Sequence, residues 1–213
     1  MESSLLVHVA KLADDIKAMQ AASTESDSLY YAMLSSSPDD MHRLTAFIRR
    51  YIDSVPSYLQ AFHELAEKSG IDIYTTPFIK AAIHCFLDNH IVISKLSGVH
   101  AYLCRAYLCH RMLEELNDRV RVERCWPLAP SDNTYVNIIV HTIIGDNDAN
   151  QLDQTVLVRL ETINTTLTAE EKDIFKQENT EKALAKLRQQ GWSDTLHEWP
   201  VFTEDMAKIL APT

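Results

Sequence analysis

The fold is decided by residues 96–124, which read LSGVHAYLCRAYLCHRMLEELNDRVRVER and form the longest uninterrupted helical pattern in the chain. One seam of side chains recurs in this stretch every three or four residues. Its members are Leu96, Val99, Leu103, Ala106, His110, Leu113, Asn117 and Val120. Spacings that alternate between three and four place side chains on a single face of a helix. The pattern therefore predicts one long central helix over residues 96–122.

A cluster of polar side chains is expected on the buried flank of this helix. Two seam positions are polar, and a neighbouring row adds three more polar residues. The cluster consists of His100, Tyr107, His110, Glu114 and Asn117. Buried polar groups of this kind either fix helix register through their hydrogen bonds or form the polar wall of a ligand pocket. The sequence leaves both interpretations open.

Composition favours helices and argues against several functional classes. The 213 residues include only four glycines, too few for a fold rich in hairpins or phosphate-binding loops. Neither a GxGxxG motif nor a GxxxxGKS or GxxxxGKT motif occurs, so Rossmann and P-loop nucleotide binding are not supported. The net charge of −10 argues against nucleic-acid binding, which depends on Lys and Arg at the phosphates.

The chain before the central helix carries clear start and stop signals. Ser37 as N-cap and Pro38 at the first helical position predict the start of a helix that runs to Gly70. Pro56 lies inside that helix and should kink it, because proline has no N–H to donate. The next helix is expected to open at Thr76, immediately before a proline.

The segment after the central helix is also predicted to be helical. Residues 134–144, TYVNIIVHTII, contain β-branched residues that suit a strand. A lone strand would need a partner, so we predict a buried helix that ends at Gly145. A further helix should begin at Asp148 or Asn150.

A capping box marks the last long helix of the prediction. Thr168 and Glu171 have the spacing in which each side chain bonds the other residue's backbone N–H. We expect this helix to continue to Gly191. A tail with Trp192, Trp199 and Phe202 would then pack back on the body.

These patterns predict an all-α protein, with residues 1–213 forming one irregular bundle of about seven helices around the 96–122 helix. The loop at 125–133, with Pro127 and Pro130, is the one candidate for a subdomain break. The regular seam suits either a central position in the monomer or the interface of a homodimer. A homodimer is the partner that we expect.

Cysteine usage and hydropathy bear on the location. Four cysteines occur without a CxxC pair, and no secretory signal is recognisable at the N-terminus, so we expect reduced thiols in the cytoplasm. The longest apolar run is too short to span a bilayer. We therefore expect no association with membrane or nucleic acid.

Histidine spacing suggests a metal site as an alternative. The pattern HxxxE occurs twice, at His63–Glu67 and at His110–Glu114. Four residues apart on a helix places both side chains on one face, where they can share an ion. This alternative takes His110 and Glu114 as ligands of iron or another transition metal, with His63 and His141 contributed by other helices.

Two classes of function remain open at this point. No complete catalytic motif is present, which favours a cytoplasmic bundle that binds a partner or small ligand as a homodimer. The alternative is a metal-dependent enzyme or gas-binding protein of the non-haem iron type, built on the His110–Glu114 helix. The sequence does not decide whether the protein is an enzyme.

Overall fold

A computed structural model describes residues 2–22, 27, 30, 37–88, 98–124, 127–129, 133–177, 180–183 and 185–186. All regular structure in these residues is helical, which confirms the all-α prediction. The helices are α1 (Glu2–Ala21), α2 (Pro38–Asp53), α3 (Val55–Ser69), α4 (Asp72–Leu87), α5 (Gly98–Arg124), α6 (Thr134–Ile144), α7 (Asp146–Thr166) and α8 (Ala169–Lys172), followed by a 3-10 turn at Asp173–Lys176. None of the helices in this described part is both long and apolar enough to cross a membrane.

Helix α5 is the centre of the bundle, as predicted. It contacts α1, α2, α3, α4, α6 and α7, and its most extensive contact is with α4. Every described member of the seam is buried; Leu103 and Leu113, for example, are 0% and 1% exposed. The seam therefore packs inside the monomer, and it does not provide the surface of a homodimer.

Two predicted helix starts are confirmed in atomic detail. The Ser37 hydroxyl accepts a hydrogen bond from the Asp40 N–H at 3.2 Å, and Pro38 is the first residue of α2. At α8, the Glu171 N–H donates to Thr168 Oγ1, and the Thr168 N–H donates to the Glu171 carboxylate. Each cap satisfies N–H groups that have no partner within the helix.

The prediction of one continuous helix from Ser37 to Gly70 was wrong. The chain is interrupted at Ser54, so that α2 and α3 are separate helices joined by a single residue. Pro56 is the second residue of α3. The N–H groups of a first turn have no acceptor within the helix, and a proline is tolerated there. Gly70 does end α3, with φ at +69°.

The predicted start of the next helix at Thr76 was also wrong. Helix α4 begins at Asp72, because the N–H groups of Tyr74 and Thr75 both donate to the carbonyl oxygen of Ile71. Pro77 therefore lies inside the helix. It has no N–H for the carbonyl of Ile73, four residues earlier.

The helix predicted at 134–144 is confirmed as α6, which ends at Gly145. Gly145 has φ at +94°, a backbone conformation that other residues rarely adopt. The chain turns there, and α7 begins at once at Asp146, earlier than the predicted Asp148 or Asn150.

The helix that starts at the capping box does not continue to Gly191. It ends at Lys172 and passes into the 3-10 turn, with Gln177 extended beyond it. The predicted aromatic tail at Trp192, Trp199 and Phe202 lies outside the described residues.

Candidate functional site

The predicted polar cluster separates into several different environments along α5. Asn117 binds the segment after the helix: its side-chain N–H donates to the Ala129 carbonyl at 3.2 Å, and its Oδ1 accepts from the Ala129 N–H at 2.9 Å. This amide pair holds Leu128 and Ala129 against α5, where both are buried. Asn117 therefore has a structural role.

His100 lies near the opposite end of α5. Its ring stacks on Tyr30, with centroids 4.5 Å apart and an interplanar angle of 17°. Burial lowers the pKa of His100, because the charged imidazolium loses solvation. His100 and Asn117 thus belong to separate contacts.

His110 packs at the break between α2 and α3 and is 1% exposed. Its Nε2 lies 3.2 Å from the Tyr51 carbonyl oxygen and 3.1 Å from Ser54 Oγ. The rings of Tyr51 and Tyr58 enclose it, with centroids at 4.3 and 5.2 Å. Burial lowers the pKa of His110 to about 4, so that it is neutral in the folded protein near pH 7.

Glu114 and Tyr107 belong to a network around Arg111, which the sequence analysis missed. The Arg111 guanidinium pairs with Glu114, with Glu115 at 3.2 Å and with Asp153 of α7 at 3.2 Å. The Tyr107 hydroxyl donates to Asp153 at 3.0 Å. Burial by itself would lower the pKa of Arg111. The carboxylates of Glu114 and Asp153 outweigh this effect and hold the pKa above its usual range.

Both carboxylate oxygens of Glu114 have partners besides Arg111. The hydroxyl of Thr134 donates to Oε1 at 2.7 Å, and the side-chain N–H of Asn137 donates to Oε2. Asn137 in turn accepts a hydrogen bond from the Tyr51 hydroxyl at 2.7 Å. This chain of bonds joins α2, α5 and α6, and it explains how a carboxylate is tolerated at 9% exposure.

The Arg111 network lines a cleft of about 500 Å³ between α5, α6 and α7. His141 lies at this cleft, with Nε2 at 3.8 Å from Asp153 and Nδ1 at 3.7 Å from Asp146. Because the buried acid and arginine satisfy each other here, the network fits the polar-core interpretation of the cluster.

The described residues give no support to the metal hypothesis. Within them, no three His, Cys, Asp or Glu side chains are grouped so that they could hold a metal ion. The two best candidates are already engaged, His110 with Tyr51 and Glu114 with Arg111. The other two predicted ligands lie on different helices, where the nearest carboxylate oxygen is that of Glu67 at 3.4 Å for His63 on α3 and that of Asp146 at 3.7 Å for His141 on α6.

A second cleft has a different character. It encloses about 520 Å³ and is lined by Leu5 of α1, His63 and Glu67 of α3, Asp72, Ile73, Thr76, Pro77 and Lys80 of α4, and Glu171 of α8. We call it the His63 cleft. Of these residues, only His63 belonged to the predicted candidate site, where it was a metal ligand.

His63 is 7% exposed, yet neither of its ring nitrogens has a hydrogen-bond partner in the described structure. The Oε1 atom of Glu67 lies 3.4 Å from Nε2, without the geometry of a hydrogen bond. A buried polar group without a partner costs about 1–3 kcal/mol. Such a group in the wall of a cleft is therefore a candidate for contact with a ligand.

The wall of the same cleft also contains a proline that lies inside a helix. Pro77 and Ile73 both line it, and Pro77 cannot donate to the Ile73 carbonyl. A proline in the sequence is compatible with a helix start as well as with a helix interior, so the sequence alone does not reveal the missing hydrogen bond.

Comparison of the chain with protein-family models, curated proteins and solved structures found no match.

Proposed function

We propose that this protein is a helical bundle that binds a small molecule in the His63 cleft. The observation that carries the proposal is the buried imidazole of His63, whose two nitrogens have no hydrogen-bond partner within the described structure, although the Glu67 carboxylate lies 3.4 Å from Nε2. Protein interiors avoid such groups unless something compensates for them. A ligand that hydrogen-bonds to His63 would provide that compensation.

The size and lining of the cleft support the proposal. A volume of about 520 Å³ lies in the range of small-molecule sites, roughly 300–1,000 Å³. Its wall combines apolar surface from Leu5, Ile73 and Pro77 with six residues that have polar or charged side chains. Ligand sites commonly have this combination, in which apolar contact supplies affinity and polar groups fix orientation.

The cleft beside Arg111 supports a ligand less well. Glu114 and Arg111 are bonded to protein groups on several sides, and a ligand would have to displace those bonds. Breaking a buried charge pair costs more than a new surface contact returns. The Arg111 network therefore serves as the comparison region in the experiment below.

The experiment is a titration of isotope-labelled protein, followed by backbone-amide and histidine-ring NMR shifts. The probes are cyclohexylmethylamine, cyclohexylmethanol and cyclohexanecarboxylate, which differ mainly in their polar group. We expect at least one probe to shift the amides of Ile73 and Thr76 and the His63 ring in a saturable way. Thr134 and Asn137, beside Arg111, should not move. If no probe saturates the His63 cleft, the proposed function is wrong.

Location and assembly are proposed separately. We propose a cytoplasmic protein, because Cys85, Cys104 and Cys109 are unpaired thiols, as a reducing compartment maintains them.

The homodimer stays a prediction, although the seam that motivated it is buried inside the monomer. Sedimentation velocity over a range of protein concentrations tests it, and a purely monomeric protein would contradict it.

A further inference from the structure

We infer that the ligand of the His63 cleft is a primary amine carrying a hydrocarbon group, bound as its ammonium ion. This inference rests on the proposed function and adds the chemical class of the ligand. It comes from three features of the cleft: its hydrogen-bond acceptors, its charge and its apolar wall.

The acceptors match the donors of an ammonium group. A primary ammonium has three N–H donors and no acceptor. The cleft is lined by His63, whose ring nitrogens have no hydrogen-bond partner in the described structure, by Glu67 with its carboxylate, and by Ile73, to whose carbonyl Pro77 cannot donate. A ligand with three donors can bond to more of these acceptors than an alcohol, which has only one donor.

Charge favours a cation over an anion. The wall carries the three carboxylates of Glu67, Asp72 and Glu171 against one lysine, Lys80. The Glu171 carboxylate already accepts the Thr168 N–H at 2.7 Å in the capping box. Glu67, whose side chain is 39% exposed beside the buried His63, can turn towards a ligand. Hydrogen bonds to charged groups are stronger than those between neutral groups.

The remaining wall requires an apolar part on the ligand. Leu5 is buried at 3% exposure, whereas Ile73 is 50% exposed although it is a large apolar residue. Pro77 also lines the cleft. A hydrocarbon group seated there would remove the exposed surface of Ile73 from water, which is favourable in proportion to the area buried.

The three probes named above distinguish this inference from the proposed function. At pH 7 we expect cyclohexylmethylamine to bind about tenfold or more tightly than cyclohexylmethanol, since one charged hydrogen bond corresponds to about that factor. Cyclohexanecarboxylate should bind most weakly. If the alcohol binds equally well, or the carboxylate binds best, the inference is wrong and the proposed function stands.

A matched pair of variants tests the position of the ammonium. Glu67→Gln should weaken binding of cyclohexylmethylamine about tenfold and leave binding of cyclohexylmethanol unchanged. Glu64→Gln is the control, because Glu64 is on the same helix but contacts Gln60 and Lys68 outside the cleft. Amine binding that is insensitive to Glu67→Gln, or that shifts Thr134 and Asn137 instead, would overturn the inference.

Discussion

The Nε2 atom of His110 lies 3.2 Å from the backbone carbonyl oxygen of Tyr51, immediately before the break between α2 and α3. A carbonyl oxygen can only accept, so Nε2 carries the proton in this contact. The Ser54 hydroxyl donates to the same carbonyl at 2.8 Å, which leaves its oxygen free to accept from Nε2. His110 is thus a neutral Nε2–H imidazole that joins α5 to the end of α2.

This neutral His110 should make stability fall in mild acid. Its folded-state pKa of about 4 is below that of the unfolded chain, near 6.5. Between these two values the unfolded state binds a proton that the folded state does not, so stability decreases as pH falls from about 6.5 to about 4. The expected contribution is about 3 kcal/mol. Urea denaturation across this range measures it.

The variant His110→Gln should reduce this pH dependence, because the titrating group is gone. His84→Gln is the control, since His84 is largely exposed, and its pH profile should follow that of the natural protein. An unchanged profile in His110→Gln would show that other groups cause the loss in acid.

Removing the arginine of the buried network should destabilise the protein strongly. Arg111→Met leaves the carboxylate of Glu114, 9% exposed, without its cation. Breaking a buried charge pair in this way costs about 3–5 kcal/mol. Arg121→Met is the matched control, because Arg121 and Asp118 are each 47% exposed, and such surface pairs contribute about 0–1 kcal/mol. Equal losses from the two variants, measured by urea unfolding, would contradict a structural role for the network.

His63 and His110, which are buried in the described structure, should respond differently to replacement by leucine. His63→Leu removes an imidazole without hydrogen bonds, so we expect unchanged stability or a gain of about 1 kcal/mol. The same variant should lose binding of the amine probe. His110→Leu removes a bonded imidazole enclosed by tyrosines, and we expect a loss of about 1–3 kcal/mol. A comparable loss in His63→Leu would mean that His63 has a structural partner.

A pair of proline variants tests the role of the Ile73 carbonyl, to which Pro77 cannot donate. Pro77→Ala restores the N–H inside α4 and should stabilise the protein by about 2 kcal/mol. The same variant should bind the amine probe more weakly. Pro56→Ala acts in the first turn of α3, where no bond is gained. It should lower stability by about 0.4–1 kcal/mol, because the unfolded chain becomes less restricted. Thermal unfolding and NMR titration measure both effects; stabilisation by both variants alike would contradict the assignment.

The elements of the fold were largely readable from local patterns, and two of the exceptions share one cause. The capping signals at Ser37 and Thr168 and the α6 helix were correct. The errors at Pro56 and Pro77 arose because proline is compatible with several positions near a helix start. Which one applies depends on neighbouring backbone bonds, such as those to the Ile71 carbonyl.

The candidate site was far less predictable. The spacing of Tyr107, His110 and Glu114 identified them as buried polar groups on α5, and they are buried. Their partners Asp153 and Asn137 come from later helices, and no local pattern connects them. The HxxxE spacing at His63 and His110 looked alike in sequence, yet only His110 has hydrogen bonds in the described structure.

Periodicity and capping are local properties of the backbone, and they were sufficient to predict that this chain is helical and that the seam of α5 is buried. The tertiary structure alone decided which buried polar groups are satisfied. Hydrogen bonding depends on distances between residues far apart in the chain, such as Tyr51 and Asn137. That difference separates the bonded network around Arg111 from the unpartnered imidazole of His63, and the proposed function follows from it.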